Sequence, residues 1–188
     1  MTSDSDYFQY LAKRSLVGYL YRKFWLYPNL NSYLHGKTLD VGCGIGDFLG
    51  LRKNVVGTDI NSKTVDYCKS MGYDVHLMLP DVLPFSDDSF DSIILDNVIE
   101  HISDPSMLLV EIARVLKVGG IFVVGVPGEL GFALDTDHKQ YYSQESISLI
   151  LTPFKFEHLK TRCMPLPLSF LGERLRSYCI YGIYKLGS

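Results

Sequence analysis

Long apolar runs, blocks of one charge and clustered cysteines are all missing from this sequence. No uninterrupted apolar stretch approaches the roughly 20 residues needed to cross a bilayer, so no membrane partner is expected. The opening residues Met1-Thr-Ser-Asp-Ser-Asp6 carry neither a basic nor an apolar region. No signal peptide is therefore expected, and a cytoplasmic location is. Net charge is −3 and no block of Lys and Arg stands out, so the electrostatic footprint of a nucleic-acid partner is absent. Cys43, Cys68, Cys163 and Cys179 are widely spaced with no Cys-x-x-Cys. That argues against a zinc site and for reduced thiols. Internal repeats and low-complexity segments are also lacking.

What is present suits one domain, residues 1–188, with a real core: 47% of the 188 residues are hydrophobic. The stretch Lys37-Thr-Leu-Asp-Val-Gly-Cys-Gly-Ile-Gly-Asp-Phe-Leu49 organises it. Thr38 to Val41 reads as a short buried strand entering a turn at Gly42, Gly44 and Gly46, and Phe48 and Leu49 open a short helix. Glycines there let a ligand approach the backbone without Cβ clashes. The run Asn54-Val-Val-Gly-Thr-Asp-Ile60 reads as a second strand ending in Asp59. A carboxylate at that point is placed to accept both hydroxyls of a ribose.

A dinucleotide fingerprint needs its third glycine where this chain has Asp47. Asp40 and Asp47 bracket the turn, repel a pyrophosphate and suit a cation. The pattern Asp-x-Gly-x-Gly-x-Gly at Asp40 to Gly46 resembles the first motif of the class I S-adenosylmethionine-dependent methyltransferases, of the type 11-like group. Their cofactor carries a sulfonium and an ammonium. The resemblance runs nearly continuously from Lys37 to Val126. It implies an α/β, Rossmann-like sheet of about seven strands, mostly parallel with an antiparallel C-terminal strand and helices on both faces. It also divides the chain into an N-terminal helical lid (1–35), a cofactor-binding core (37–126) and an acceptor-side loop with C-terminal strands (127–188).

The resemblance implies S-adenosylmethionine as cofactor, held by Asp40, Gly42, Cys43, Gly44 and Gly46 at the turn and by Asp59 and Ile60 after the second strand. Cys43 reads on its own as a small side chain that fits the turn. Asp81, just before Leu83-Pro84-Phe85, matches the residue that accepts the adenine amino group, and Val82 offers its backbone N–H to the ring. Taken alone, Asp81 equally reads as a turn aspartate. Asp96 and Asn97 end the fourth strand, where ligands of open α/β sheets bind. There the resemblance places the methionine end and the acceptor entrance. The Asn/Asp-Pro-Pro-aromatic run of nucleobase-amino methylating relatives is absent from this spot.

The remaining elements follow from pattern. Aromatics over residues 6–34 suggest amphipathic helices broken near Pro28, either covering the sheet or closing over the cofactor. Asn61 caps a helix closed by Gly72, and Val75 to Met78 is the third strand, with His76 a surface residue. Asp104-Pro105 starts a helix that Lys117 and Gly119-Gly120 end. Ile121 to Val126 is strand five. A helix over 143–152 is capped by Ser143, Phe154 to Cys163 is strand six, and Ser177 to Lys185 is the last strand.

Displacement at a sulfonium requires alignment of nucleophile, carbon and sulfur. It requires a base only if the acceptor is protonated. His138, in the long loop 127–142, is the first candidate base, with Asp137 as its orienter if the fold joins them, or else a residue that stabilises the loop or binds substrate. His101 is the second candidate, or a structural residue. His101 with Asp104 lacks a third ligand, so no metal is expected. A small-molecule acceptor is expected. The Asp137-His138-Lys139 loop resembles enzymes that accompany bacterial surface-sugar pathways, which implies a sugar-linked hydroxyl. A non-catalytic cofactor-binding adaptor and a nicotinamide-dependent oxidoreductase are the alternatives. Oligomeric state and the methylated atom have no signature.

Overall fold

The computed structural model describes residues 15–166 and 174–188. Arg14 and the aromatics that precede it lie outside the described residues. Seven strands are present: β1 (Thr38–Val41), β2 (Val55–Asp59), β3 (Val75–Leu77), β4 (Phe90–Asp96), β5 (Leu116–Pro127), β6 (Phe156–Met164) and β7 (Cys179–Leu186). They form one sheet in the order β3-β2-β1-β4-β5-β7-β6. The pairs β1–β2, β1–β4, β2–β3 and β4–β5 are parallel, and β7 runs antiparallel to both β5 and β6. Strand order reverses between β1 and β4, and that reversal opens a crevice beyond their carboxyl ends. Every residue of β1 is buried, and so is the centre of β4, as parallel strands covered on both faces require.

Among the described residues six α-helices clothe the sheet, α1 (Leu16–Tyr21), α2 (Tyr27–Asn31), α3 (Ser62–Ser70), α4 (Ser106–Val115), α5 (Glu129–Ala133) and α6 (Gln144–Leu151), and a π-helical turn, Arg22–Leu26, joins α1 to α2. Leu108 and Ile112 of α4 and Ile147 and Leu151 of α6 belong to one core cluster with Leu39, Ile93, Phe122 and Val124. Leu26, Tyr27, Leu30 and Leu34 share a second with Ile94, Val123, Tyr181 and Ile183. The N-terminal helices therefore cover sheet residues, while Ser15, Gly18, Tyr21 and Arg22 reach the cleft.

Local chemistry accounts for the boundaries. The Asn61 side chain accepts the Lys63 and Thr64 N–H groups at 3.0 and 3.3 Å and starts α3. Ser143 and Ser146 form a reciprocal capping box at α6. Pro28 sits in the first turn of α2, and its missing N–H leaves the preceding turn to widen into the π form. The break thus falls just before Pro28. The helix expected to open at Phe48 is a single 3₁₀ turn, Leu49–Leu51, because few residues separate the glycine turn from β2. Helix α4 stops at Val115, earlier than its glycines suggest. Leu116 pairs with Phe90 across a bulge, and Lys117 reaches Asp91 at 2.7 Å. Lys155, left-handed at φ 62°, closes the turn after α6 and delays β6 to Phe156.

Gly125 fixes how β7 meets β5. A Cβ there would overlap the Tyr181 ring and come within 2.9 Å of an Asp96 carboxylate oxygen. Only glycine lets the ring lie across β5 and donate to Asp96 at 2.9 Å. Gly125→Ala is expected to lower stability by about 1–3 kcal/mol through overpacking, read as a lower denaturant midpoint. An unchanged midpoint would show that Tyr181 yields without cost.

Candidate active site

A cleft of about 1480 Å³ opens beyond the carboxyl ends of β1, β2 and β4 and is lined by Asp40, Gly42, Cys43, Gly44, Asp59, Ile60, Asp81, Asp96, Asn97, Glu100, His101 and His138. The chain brings together nearly all the residues expected there. Gly42, Gly44 and Gly46 hold positive φ of 73°, 51° and 82°. At Gly42 a Cβ would also meet Val98 Cγ2 at 2.5 Å, so that position is closed to other residues by both strain and space. The Gly42 and Cys43 N–H groups both bond to the Thr58 carbonyl, at 2.8 and 2.9 Å, which clamps the turn onto β2. The Cys43 thiol is buried against Gly57, and burial beside Cys68 pushes its ionisation far up. It is an inert filler of the turn.

Three carboxylates sink into the floor of this cleft, and each is treated differently. Asp59 is 4% exposed, and its two oxygens accept the Gly44 N–H at 2.9 Å and the Asn61 N–H at 2.8 Å. Burial raises its pKa, and these amides oppose the rise. Asp59 thereby staples the glycine turn to the start of α3. Its remaining lone pairs, not a free carboxylate, face the cleft. Asp96 accepts from Tyr181 at 2.9 Å, from Tyr27 at 3.2 Å and from Asn97 Nδ2 at 2.7 Å. Burial raises its pKa and these donors offset part of it. Asn97 makes that contact from a left-handed backbone, φ 54°.

Asp40, also 4% exposed, takes no side-chain hydrogen bond from the described residues. Its pKa is raised well above 3.8 by burial first, then by Asp96 and Asp59. A buried acid with like charges beside it and no donor is stabilised in its ionised form by an added cation.

Asp47 departs from expectation. Its carboxylate is joined to Arg22 of the π turn at 3.0 Å, so it also ties the N-terminal helices to the glycine turn, while its charge still adds to the burden on Asp40. Val82 departs as well. Its N–H is donated to the Leu79 carbonyl at 3.1 Å and its side chain is exposed, so it is not the free donor expected toward a base ring. Asp81 does line the cleft, at φ 59°. The segment that follows it is docked on α4, where Glu111 accepts the Leu83 N–H at 2.9 Å and Arg114 reaches the Leu83 and Phe85 carbonyls.

At the other end of the cleft lies a cluster only partly legible beforehand. Glu100 is fully buried, and neither carboxylate oxygen has a partner among the described residues. Burial pushes its pKa up to about 8. Its backbone carbonyl accepts the Lys139 and Gln140 N–H groups at 2.8 and 3.1 Å, which sews the 127–142 loop to the end of β4. His138 lies over Glu100, with Nε2 at 3.9 Å from Oε1, and its ring centroid is 4.7 Å from that of His101. His138 Nδ1 stands 2.9 Å from the Phe132 carbonyl. A carbonyl can only accept, so Nδ1 carries a proton and Nε2 faces Glu100, with a lone pair there when the ring is neutral. Asp137 does not orient this ring: its carbonyl lies 3.4 Å from His101 Nδ1 instead. The His101–Asp104 pair does not form either. Asp104 caps α4 through Ser106 at 3.1 and 2.6 Å.

Comparison with known proteins agrees with this geometry. The family profile described as "Methyltransferase domain" matches residues 39–124, the span from β1 to β5 that carries the glycine turn and the acidic floor. A probable S-adenosylmethionine-dependent methyltransferase of Mycolicibacterium smegmatis is 28% identical over 75% of this chain and 61% of its own. The core from β1 to β5 thus carries the methyltransferase domain of S-adenosylmethionine-dependent enzymes. A probable tRNA methyltransferase 9B of Bos taurus is 32% identical over 56% of the chain and 23% of its own. That likeness leaves the expected exclusion of nucleic-acid acceptors without support. A Thermotoga maritima SAM-dependent methyltransferase structure, described as a possible histamine N-methyltransferase, shares the fold. It superposes at TM-score 0.75 with 18% identity, covering 95% of this chain and 96% of its own. The chain spans less than two thirds of the length of the curated relatives it matches. No helix among the described residues is long and apolar enough to cross a membrane.

The family implies S-adenosylmethionine, and the methyltransferase cleft fits it. Its positive charge answers the unpaired Asp40, and exposed Ile60 offers an apolar surface beside Asp59.

The sign of the Asp40 effect is testable. A carboxyl whose folded pKa lies above its unfolded value binds more protons when folded, so its contribution falls as pH rises. Relative to Asp40→Asn, the cofactor-free wild type should lose stability in urea titrations as pH rises above the ordinary carboxylate range near ~4. A constant difference would show that Asp40 is not strained by burial.

Proposed function

We propose that the protein transfers the methyl group of S-adenosylmethionine to a hydroxyl of a small-molecule acceptor, a sugar-linked hydroxyl being the preferred class. One observation carries this reading. The acidic floor that suits a cationic cofactor continues into a cluster, Glu100, His101 and His138, whose His138 lone pair is turned into the same cleft. When bound, the cofactor supplies an electrophilic methyl on a sulfonium. Everything else falls to the protein.

Gly42, Gly44 and Gly46 allow the ligand to approach the backbone, with Asp40 providing the negative charge and Asp96, fixed by Tyr27 and Tyr181, continuing it toward the acceptor end. Alignment of this kind is worth several kcal/mol of barrier. The N-terminal helices act as a lid: the Arg22–Asp47 pair draws them onto the glycine turn, which excludes water from the donor end. A hydroxyl must also lose its proton, and the histidine cluster is where the cleft supports that loss. Stacking of His138 on Phe132, with ring centroids 5.2 Å apart at 17°, and the bond from its Nδ1 hold the imidazole in one pose. The acidic floor counts against a nicotinamide dinucleotide, whose pyrophosphate it repels.

The test is release of S-adenosylhomocysteine with a panel of nucleotide sugars and other hydroxylated acceptors, with unmodified tRNA as a separate arm. His138→Ala should lower turnover by roughly 10²-fold or more and leave S-adenosylhomocysteine affinity unchanged by calorimetry. Wild-type turnover in that variant would remove His138 from the reaction, and turnover confined to the tRNA arm would overturn the small-molecule class.

A further inference from the structure

Glu100, His101 and His138 come from two segments far apart in sequence, the end of β4 and the loop after β5, yet one donor atom from each lies within 4.8 Å of the others. Three features of the cluster are poorly explained by packing alone. A glutamate with no exposed surface has both carboxylate oxygens unpartnered among the described residues. Leaving a buried polar group unbonded is costly, and more so when it is charged. His138, its Nδ1 proton directed at the Phe132 carbonyl, leaves Nε2 facing that carboxylate at 3.9 Å. That separation is too long for a hydrogen bond. Finally, each ring has Nδ1 set against a backbone carbonyl, Phe132 for His138 at 2.9 Å and Asp137 for His101 at 3.4 Å. Histidines that ligate metals are usually held this way, with the second nitrogen left for the ion.

We propose that Glu100, His101 and His138 bind one divalent transition ion of the zinc class at the acceptor end of the cleft. Two donors about 2.1 Å from one ion at a tetrahedral angle stand roughly 3.4 Å apart, so the three side chains, now within 4.8 Å of one another, need only draw in slightly around an ion. Two imidazoles and one carboxylate form a borderline donor set that favours zinc-like ions over magnesium or calcium, which prefer oxygen. Three protein ligands leave an open coordination position. Asp135, whose carboxylate is 3.9 Å from His138 Nε2, adds negative charge next to the ion.

The proposal rests on the hydroxyl-methylating reading and deepens it. An acceptor hydroxyl in the open position loses its proton to bulk water, as zinc-bound water does near neutral pH. The resulting oxygen attacks the methyl carbon, so the O–CH₃ bond forms as the S–CH₃ bond breaks and the sulfur leaves as a neutral thioether. The His138 lone pair then belongs to the ion, and His138 acts as a ligand instead of a free base. The acceptor is thereby narrowed to molecules with a hydroxyl, above all those with a second oxygen next to it that can chelate.

The chelator-treated full chain is titrated with ZnCl₂ by calorimetry, and bound zinc is counted by elemental analysis after desalting. One equivalent is expected in the wild type. Glu100→Gln and His138→Ala should each weaken zinc binding by at least about 10-fold. His76→Ala, on the exposed β3 edge, should not. CoCl₂ serves as a spectroscopic probe: visible absorption of a tetrahedral or five-coordinate site is expected, and it should fade in His101→Ala. S-adenosylhomocysteine affinity, measured on the same samples, should be equal in all of them and certifies that each is folded. Absence of stoichiometric zinc in a wild type that binds S-adenosylhomocysteine would overturn the ion site alone, as would equal zinc affinity across the variants. Zinc binding without S-adenosylhomocysteine binding would support the ion site and overturn the methyltransferase reading.

Discussion

The structure depends on the burial of several carboxylates at one end of a parallel sheet, where like charges and low dielectric oppose their ionisation. Asp40, Asp59 and Asp96 end neighbouring strands, so the topology forces them together. Local chemistry then settles each one separately. Two backbone amides hold Asp59, two tyrosine hydroxyls and an amide hold Asp96, and Asp40 is left to an external charge. The glycine turn follows from this arrangement, since Gly44 must present its N–H to Asp59. So does Gly125, whose missing side chain admits Tyr181. The cost of a like-charged floor is accepted where a cationic ligand will sit, in keeping with the clustering of perturbed groups at functional sites.

The same constraint extends along the cleft to Glu100, another buried acid without a partner among the described residues. Between the two ends runs a continuous lining from the N-terminal helices through β4 to the 127–142 loop. Arg22 on Asp47 and the Lys139 and Gln140 amides on Glu100 fasten movable segments to the two ends of the sheet crevice. Both ends of the cleft are thus built on the same strands and turns.

The strand-turn-strand core could be read from the sequence because glycine spacing and apolar runs are local signals. Asp40, Asp59, Asp96 and the two candidate histidines all reach the cleft. What escaped was pairing between distant segments. Nothing near Asp47 announces Arg22, and nothing near Asp96 announces Tyr27 or Tyr181. Gly125 inside an otherwise apolar strand was the one available hint, since a strand glycine often marks close approach of a neighbour. No local signal singles out Glu100, and only the fold of the segment after β5 shows it buried under His138. The Val82 donor was misread because a tight turn at Leu79 uses it locally.

Cofactor binding offers the most direct measure of whether a strained acid awaits a cation. A carboxyl held partly neutral by burial ionises when a positive charge arrives, and its proton goes to solvent. Calorimetric titration of S-adenosylmethionine near pH 6, repeated in buffers of different ionisation enthalpy, counts that proton. Net proton release that disappears in Asp40→Asn is the predicted result. Binding with no proton exchange, or with uptake, would contradict the account.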